Sequence, residues 1–333
     1  MPLKVLTLWG LTDQMQTTIK EILQPVAGTL VMIPDANGGY EEGKQKFNHE
    51  LVDTEVLLAG ALNAEGFAVA KALKWIQVPS AGVNRLLDTK GLIESDVIVT
   101  NSAGTMAGPL ADQVLGYVIG FSRMLPQQWQ AQKERKWNRV WGGNIGVSLR
   151  ELAGDTIGII GYGNIGREIA KRAKAFGMRV VATKQNISGN YPELDQLWPN
   201  QDLEQLLAQS DYVVIAAPLT PETTGMIGRT QLLKMKPSAY LINIARGPLV
   251  KETELIEVLQ QKQIAGAALD VFEKEPLPIE SPLWDLDNVI LTPHSSGNFD
   301  KYMERAVERF TENLRRYVNH QPLINVVDKR RGY

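Results

Sequence analysis

The stretch Thr156–Lys184, TIGIIGYGNIGREIAKRAKAFGMRVVATK, constrains this chain more than any other, because it reads as strand, glycine turn, helix and second strand. Three glycines at fixed spacing are weak evidence alone, and their setting gives them weight. Thr156–Ile160 is a short isoleucine-rich run that suits a strand buried on both faces. Behind the turn, Ile165, Ile169, Ala173 and Phe176 recur at helical spacing, with Arg167, Lys171, Arg172 and Lys174 between them and Gly177 placed to cap the helix. Each glycine then has a task. Gly161 makes the turn, Gly163 lets backbone approach a pyrophosphate, and Gly166 lets the helix pack closely on the strand. A pyrophosphate would rest on the unpaired N–H groups and positive end of that helix, so the segment is read as a dinucleotide site.

The second strand, Arg179–Thr183, departs from the usual pattern. A site for NAD carries an acidic residue about 20 residues past the glycines to bond the ribose 2′-hydroxyl. Here Thr183-Lys184-Gln185-Asn186 follows, with no acid. A lysine beside a neutral amide attracts a 2′-phosphate, so NADP(H) is favoured as cofactor over NAD(H).

At 333 residues, 44% hydrophobic and 22% charged, the chain is long enough for two cores of ordinary size. A net charge of −2 gives no field for nucleic acid or an anionic membrane, and the basic tail Asp328–Arg331 is read as a solvated terminus. The chain has no cysteine, which excludes disulfides, thiolate metal sites and a catalytic thiol; no metal site is expected. The N-terminus lacks a secretory pattern and no apolar run is long enough to span a bilayer, so the cytoplasm is the expected compartment.

Residues 1–100 alternate strand-like and helix-like pieces without a glycine fingerprint, with Pro34–Phe47 read as a loop. After Val78 comes Pro79-Ser80-Ala81-Gly82-Val83-Asn84, where small residues at a strand end make either a plain turn or a set of backbone N–H groups accessible to an anion. A long helix with Leu110, Val114, Val118 and Phe121 on one face reads as a connector between domains. Gln127–Leu149 holds Trp129, Trp137 and Trp141 in a polar setting, which suits the arm of a homodimer. From Asp155, six strand-like segments make a doubly wound parallel sheet: Thr156–Ile160, Arg179–Thr183, Tyr212–Ala216, Tyr240–Asn243, Ile264–Leu269 and Val289–Leu291. Asp300–Val318 is an amphipathic helix with Met303, Ala306, Phe310, Leu314 and Tyr317 on one face, and it is expected to return to the first domain.

Open parallel sheets bind ligands beyond the carboxyl ends of their strands, where this chain places Ala217-Pro218, Ile244-Ala245-Arg246, Asp270 and Thr292–Gly297. Hydride transfer to a 2-oxo acid needs a group to hold the carboxylate, a group to polarise the carbonyl and a proton donor for the new alkoxide. The planar fork of Arg246 suits the first two tasks. His294 suits the third, with Glu275 as a carboxylate that favours the charged imidazole and orients it. Asp270 could bond the nicotinamide carboxamide. His49 and His320 are read as surface residues.

These segments resemble the D-isomer-specific 2-hydroxyacid dehydrogenases over nearly the whole chain, through GYGNIG at Gly161–Gly166, APLTPET at Ala217–Thr223, NIARGPLV at Asn243–Val250, DVFEKEPLP at Asp270–Pro278 and TPHSSG at Thr292–Gly297. The resemblance implies Arg246 as the substrate arginine, His294 as acid/base and Glu275 as its partner. It implies cofactor contacts from Gly161, Tyr162, Gly163, Asn164, Ile165, Gly166, Thr183, Lys184, Ala217, Pro218, Thr223, Ile244, Ala245, Arg246, Asp270, His294 and Gly297, and substrate contacts from Ser80, Ala81, Gly82, Arg246 and His294. It also implies two Rossmann-like α/β domains: a nucleotide domain, 102–295, inserted into a split substrate domain, 1–101 and 296–333, with a cleft that closes, usually as a homodimer. ATKQ at Ala182–Gln185 looks like the NADP-using glyoxylate and hydroxypyruvate reductases. The expected partner is a small 2-oxo or 2-hydroxy acid. Phosphite-oxidising relatives share the triad, and corepressors of C-terminal-binding type share fold and triad, differing in partner.

Overall fold

The computed structural model describes residues 2–34, 41–137 and 149–332. The chain divides into two compact units, Met1–Met106 with Phe299–Tyr333, and Ala107–Asn298. Each is built on a parallel sheet, which makes this a two-domain α/β protein.

In the first unit, β1 (Lys4–Thr7), α1 (Asp13–Leu23), β2 (Thr29–Met32), α2 (Glu41–Leu51), β3 (Val56–Leu58), α3 (Ala64–Val69), β4 (Trp75–Gln77), α4 (Asn84–Leu87) and β5 (Ile98–Thr100) follow one another. The sheet order is β2-β1-β3-β4-β5. Helix α2 occupies part of the segment read as a loop. Its charges mask an i, i+4 pair, Phe47 and Leu51, that is buried in the core. Asn37-Gly38-Gly39 lies outside the described residues.

The second unit opens with α5 (Ala107–Ser122) and α6 (Leu125–Lys133). There follow β6 (Thr156–Ile160), α7 (Asn164–Ala175), β7 (Arg179–Lys184), β8 (Gln196–Pro199), α8 (Leu203–Gln209), β9 (Tyr212–Ile215), α9 (Arg229–Leu232), β10 (Tyr240–Asn243), α10 (Glu252–Gln260), β11 (Gly266–Leu269) and β12 (Val289–Leu291). The sheet has seven strands, β12-β11-β10-β9-β6-β7-β8, not the six expected. The additional β8 is a short edge strand ending in proline, which an edge tolerates because its outer side needs no N–H donor. Neighbouring residues of a strand face opposite helical layers: Ile157 and Ile159 pack with α5 and α7, whereas Ile160 and Val181 pack with α8 and α10. The chain reverses direction across the sheet between β6 and β9, the place where open α/β sheets bind ligands.

At the opposite end of this sheet, Arg150 bonds Asp155 at 3.0 Å and Asp211 at 3.4 Å, while Lys236 reaches Asp211 at 3.0 Å. Burial alone would raise the Asp211 carboxyl, but the Thr156 N–H, Lys236 and Arg150 outweigh it and hold it below the ordinary value. Asp155 is shifted the other way, chiefly by burial.

Helix α11 (Tyr302–Val318) completes the first unit, as its periodicity predicts. Phe310 and Leu314 are buried beside Val5 and Trp75, and Trp75 stacks on Phe310 and Tyr317. The end of the chain pairs with the sheet edge. Val327 N–H donates to the Val99 carbonyl, and Lys329 Nζ donates to the carbonyls of Leu92, Ser95 and Val97. The basic tail is therefore not simply solvated, because three carbonyls offer Lys329 a better set of acceptors than its composition reveals.

Candidate active site

The glycine turn takes the form its sequence predicts. Gly161 has φ +95°, and a Cβ there would lie 2.7 Å from the Ala217 backbone. A Cβ on Gly166 would meet the Gly161 carbonyl at 2.9 Å, whereas one on Gly163 would meet nothing within 4 Å. The turn is thus packed where chain meets chain and open above Gly163, and no side chain caps α7. An open cradle before the uncapped N-terminus of a twelve-residue helix fits a pyrophosphate. The Gly161 and Tyr162 N–H groups donate to the Thr183 carbonyl, which ties the turn to the end of β7, and the Tyr162 and Thr183 side chains are buried. Burial, then Glu193, pushes the Tyr162 phenol up to about 12. Asn164 is exposed and Ile165 half-buried.

Lys184 is the last residue of β7, one beyond the strand end read from the sequence. Its Nζ stands 4.9 Å from the Tyr191 ring centroid, and the Arg167 guanidinium stands 5.6 Å from the same point. Two cations drawn to one ring at the end of β7 were not legible from spacing, since Tyr191 lies in a loop.

On the other side of the switch point, β10, β11 and β12 are adjacent and parallel, with Asn243 beside Leu269 and Leu269 beside Leu291. Their carboxyl ends deliver Arg246, Asp270–Glu275 and His294 to one edge. Asn243 is buried, donating to the Arg246 carbonyl at 3.0 Å and accepting from the Ala245 N–H at 3.1 Å, which shapes the arginine turn. Burial pulls the Arg246 guanidinium below its ordinary value while Glu275 opposes the shift. Arg246 Nη1 donates to the Ala245 carbonyl at 2.6 Å. Ile244 is buried, and Thr223 closes its own loop on Thr220 and Pro218.

His294 Nδ1 lies 2.7 Å from Glu275 Oε2, and Glu275 Oε1 accepts the Phe272 N–H at 3.1 Å. One carboxylate therefore joins the histidine to the chain after β11. Asp270 holds the histidine loop. It is 1% exposed, accepts the Ser295 and Ser296 N–H groups at 2.9 and 3.0 Å and the Thr292 hydroxyl, and its carbonyl takes the His294 N–H at 2.8 Å. These bonds hold His294 at φ +51°, a conformation that costs a non-glycine residue roughly 1–2 kcal/mol. Beyond the histidine a Cβ on Gly297 would meet nothing within 4 Å.

In the first unit, Ser80 Oγ donates to the Gly82 carbonyl, and Asn101 Nδ2 to the Ala81 carbonyl. These bonds fix the loop through its carbonyls and hydroxyl. Among the described residues the Ser80, Ala81 and Gly82 N–H groups have no acceptor. His49 and His320 are exposed, as expected.

The sequence model of the D-isomer specific 2-hydroxyacid dehydrogenase NAD binding domain matches residues 115–296. This chain belongs to that family. Among these dehydrogenases, a glyoxylate reductase of Korarchaeum cryptofilum is 35% identical over 258 residues, covering 78% of this chain and 77% of its own. A D-3-phosphoglycerate dehydrogenase of Methanocaldococcus jannaschii is 33% identical over 288 residues, 86% of this chain; the match spans only 54% of that longer relative. The D-isomer specific 2-hydroxyacid dehydrogenase of Xanthobacter autotrophicus, solved with NADPH and MES, superposes with a TM-score of 0.81 at 31% identity, covering 100% of this chain and 99% of that one. The family is one of oxidoreductases, and no helix among the described residues is long and apolar enough to cross a membrane.

Proposed function

We propose that this dehydrogenase is an NADP-preferring reductase of small 2-oxo acids, glyoxylate, hydroxypyruvate or a longer homologue, acting as a homodimer. The observation that carries the reading is the 2.7 Å contact of His294 with Glu275, on the sheet edge that also bears Arg246. When bound, the nicotinamide supplies a hydride. With Nδ1 engaged by Glu275, Nε2 is the nitrogen that gives its proton to the new alkoxide oxygen. Arg246 holds the substrate carboxylate and polarises its carbonyl, and its burial strengthens both interactions. The Ser80–Gly82 N–H groups of the first unit are assigned to a substrate anion.

Main chain at Gly161–Gly166, Ala217, Pro218, Ile244, Ala245 and Gly297 is assigned to the dinucleotide. Lys184, with Arg167 beside it, is assigned to the 2′-phosphate; the NADPH of the Xanthobacter relative supports this preference. The homodimer is supported by Trp129 and Trp137, which are 59% and 87% exposed in the single chain, whereas Trp141 lies outside the described residues.

The test is the initial rate of NADPH and, separately, NADH oxidation with glyoxylate, hydroxypyruvate, pyruvate and phenylpyruvate. Faster NADPH-linked turnover is expected. A His294→Ala or Arg246→Ala protein that folds, binds cofactor and keeps full turnover would overturn the reading.

A further inference from the structure

The loop that carries His294 is held from behind by hydroxyl groups that end on helix α5. Thr292 Oγ1 lies 2.5 Å from Asp270 Oδ1 and 2.6 Å from Tyr117 Oη, which also lies 3.3 Å from Ser296 Oγ. A carboxylate that already accepts two N–H groups accepts the Thr292 proton as well, so Thr292 Oγ1 is left to accept from Tyr117. Burial pushes the Tyr117 phenol above its ordinary value, which keeps it protonated and able to donate. Tyr117 is 3% exposed, Asp270 1% and Ser296 3%, with Thr292 half-buried between them, so these bonds lie largely out of water.

We propose that Tyr117 is a positioning residue for His294: through Thr292 it fixes the Asp270 carboxylate, and Asp270 fixes the left-handed turn that sets the imidazole against Glu275. The proposal rests on the reading of His294 as the proton donor. Gln113 and Asp270 are the other polar groups that bear on Tyr117, and Glu275, with Arg246 beyond it, bears on His294. Tyr117 touches none of the groups assigned to substrate; its influence passes through two side chains and a turn of backbone.

Tyr117→Phe keeps the ring and deletes the hydroxyl, Thr292→Val deletes the relay, and Thr292→Ser restores it. Because the chain has three histidines, the full protein with isotope-labelled histidine gives a spectrum in which His294→Gln identifies the His294 signals. The downfield N–H resonance of the His294–Glu275 bond is expected in the native protein and in Thr292→Ser, and is expected to broaden or vanish in Tyr117→Phe and Thr292→Val. Turnover should fall about 10-fold in Tyr117→Phe, as small misplacements of an acid do, with cofactor KM and melting temperature unchanged. The double variant Tyr117→Phe/Thr292→Val should be no worse than Thr292→Val alone. A native resonance and native turnover in Tyr117→Phe, or additive losses in the double variant, overturn the proposal. The resonance is read without substrate, so its outcome is separate from a failure of the reductase reading, which would appear as turnover surviving in His294→Gln.

Discussion

Gly247 and Phe272 meet backbone to backbone: a Cβ on Gly247 would lie 1.9 Å from both the carbonyl carbon and the carbonyl oxygen of Phe272. The turn that carries Arg246 is thereby seated against the strand exit that carries Glu275, with nothing but a hydrogen atom between them. Gly247→Ala should force these two segments apart. The expected result is a loss of about 1–3 kcal/mol in urea unfolding, the usual range for overpacking, together with a larger loss of turnover than of cofactor affinity.

Glu275→Gln keeps the shape of the side chain and its acceptor for the Phe272 N–H but removes the charge beside His294. Turnover should fall about 10- to 100-fold, within the range for impaired acid catalysis, while dinucleotide binding measured by fluorescence stays unchanged. Native turnover in a folded Glu275→Gln protein would remove Glu275 from the mechanism.

Lys184→Glu reverses the charge placed over the Tyr191 ring at the end of β7. kcat/KM with NADPH should drop on the order of 100-fold, since a charge-assisted bond is replaced by repulsion, and kcat/KM with NADH should change far less. Equal losses with both cofactors would mean that Lys184 does not read the 2′-phosphate.

Asp211 has a folded-state pKa below its unfolded value, so its contribution to stability is present above the unfolded Asp value and is lost as pH falls through the lower folded one. Asp211→Asn leaves Arg150 and Lys236 without that charge. A loss of about 2–3 kcal/mol is expected at pH 7, the range for removing one member of a largely buried pair. Urea unfolding should show the gap between native and variant shrinking below about pH 4. A gap independent of pH would contradict the assignment.

The parts legible in the sequence were those where local pattern and tertiary role coincide. Thr156–Ile160 and Tyr240–Asn243 are read with their observed ends, because a strand in the middle of a covered parallel sheet is apolar along its length and stops where the ligand edge begins; the edge strand Val289–Leu291 is read as well, because it is a continuous apolar run. Gln196–Pro199 is not legible in the sequence, because an edge strand needs neither continuous apolarity nor a full set of N–H donors. Helix α2 is hidden in the sequence, because its charges and glycine outweigh the two apolar residues that anchor it. At the site, the strand ends bring Arg246, Glu275 and His294 to one edge and the pairing of Glu275 with His294 is legible, but the bonds behind them are not. The Tyr117–Thr292 bond and the Gly247–Phe272 contact join positions far apart in sequence, and only the register of β10, β11 and β12 and the packing of α5 bring them together.

The first unit is interrupted by the whole of the second, and α11, which covers Val5 and Trp75, is made only after Asn298. On a ribosome adding 5–20 residues per second, strands β1–β5 therefore wait on the order of ten to forty seconds for the helix that seals their core. The uninterrupted unit, although second in the sequence, is the first that can close. A nascent chain stalled before α11 emerges should resist protease across residues 107–298 while residues 1–106 are still cut, so the half bearing the glycine turn and His294 matures before the half whose synthesis began first.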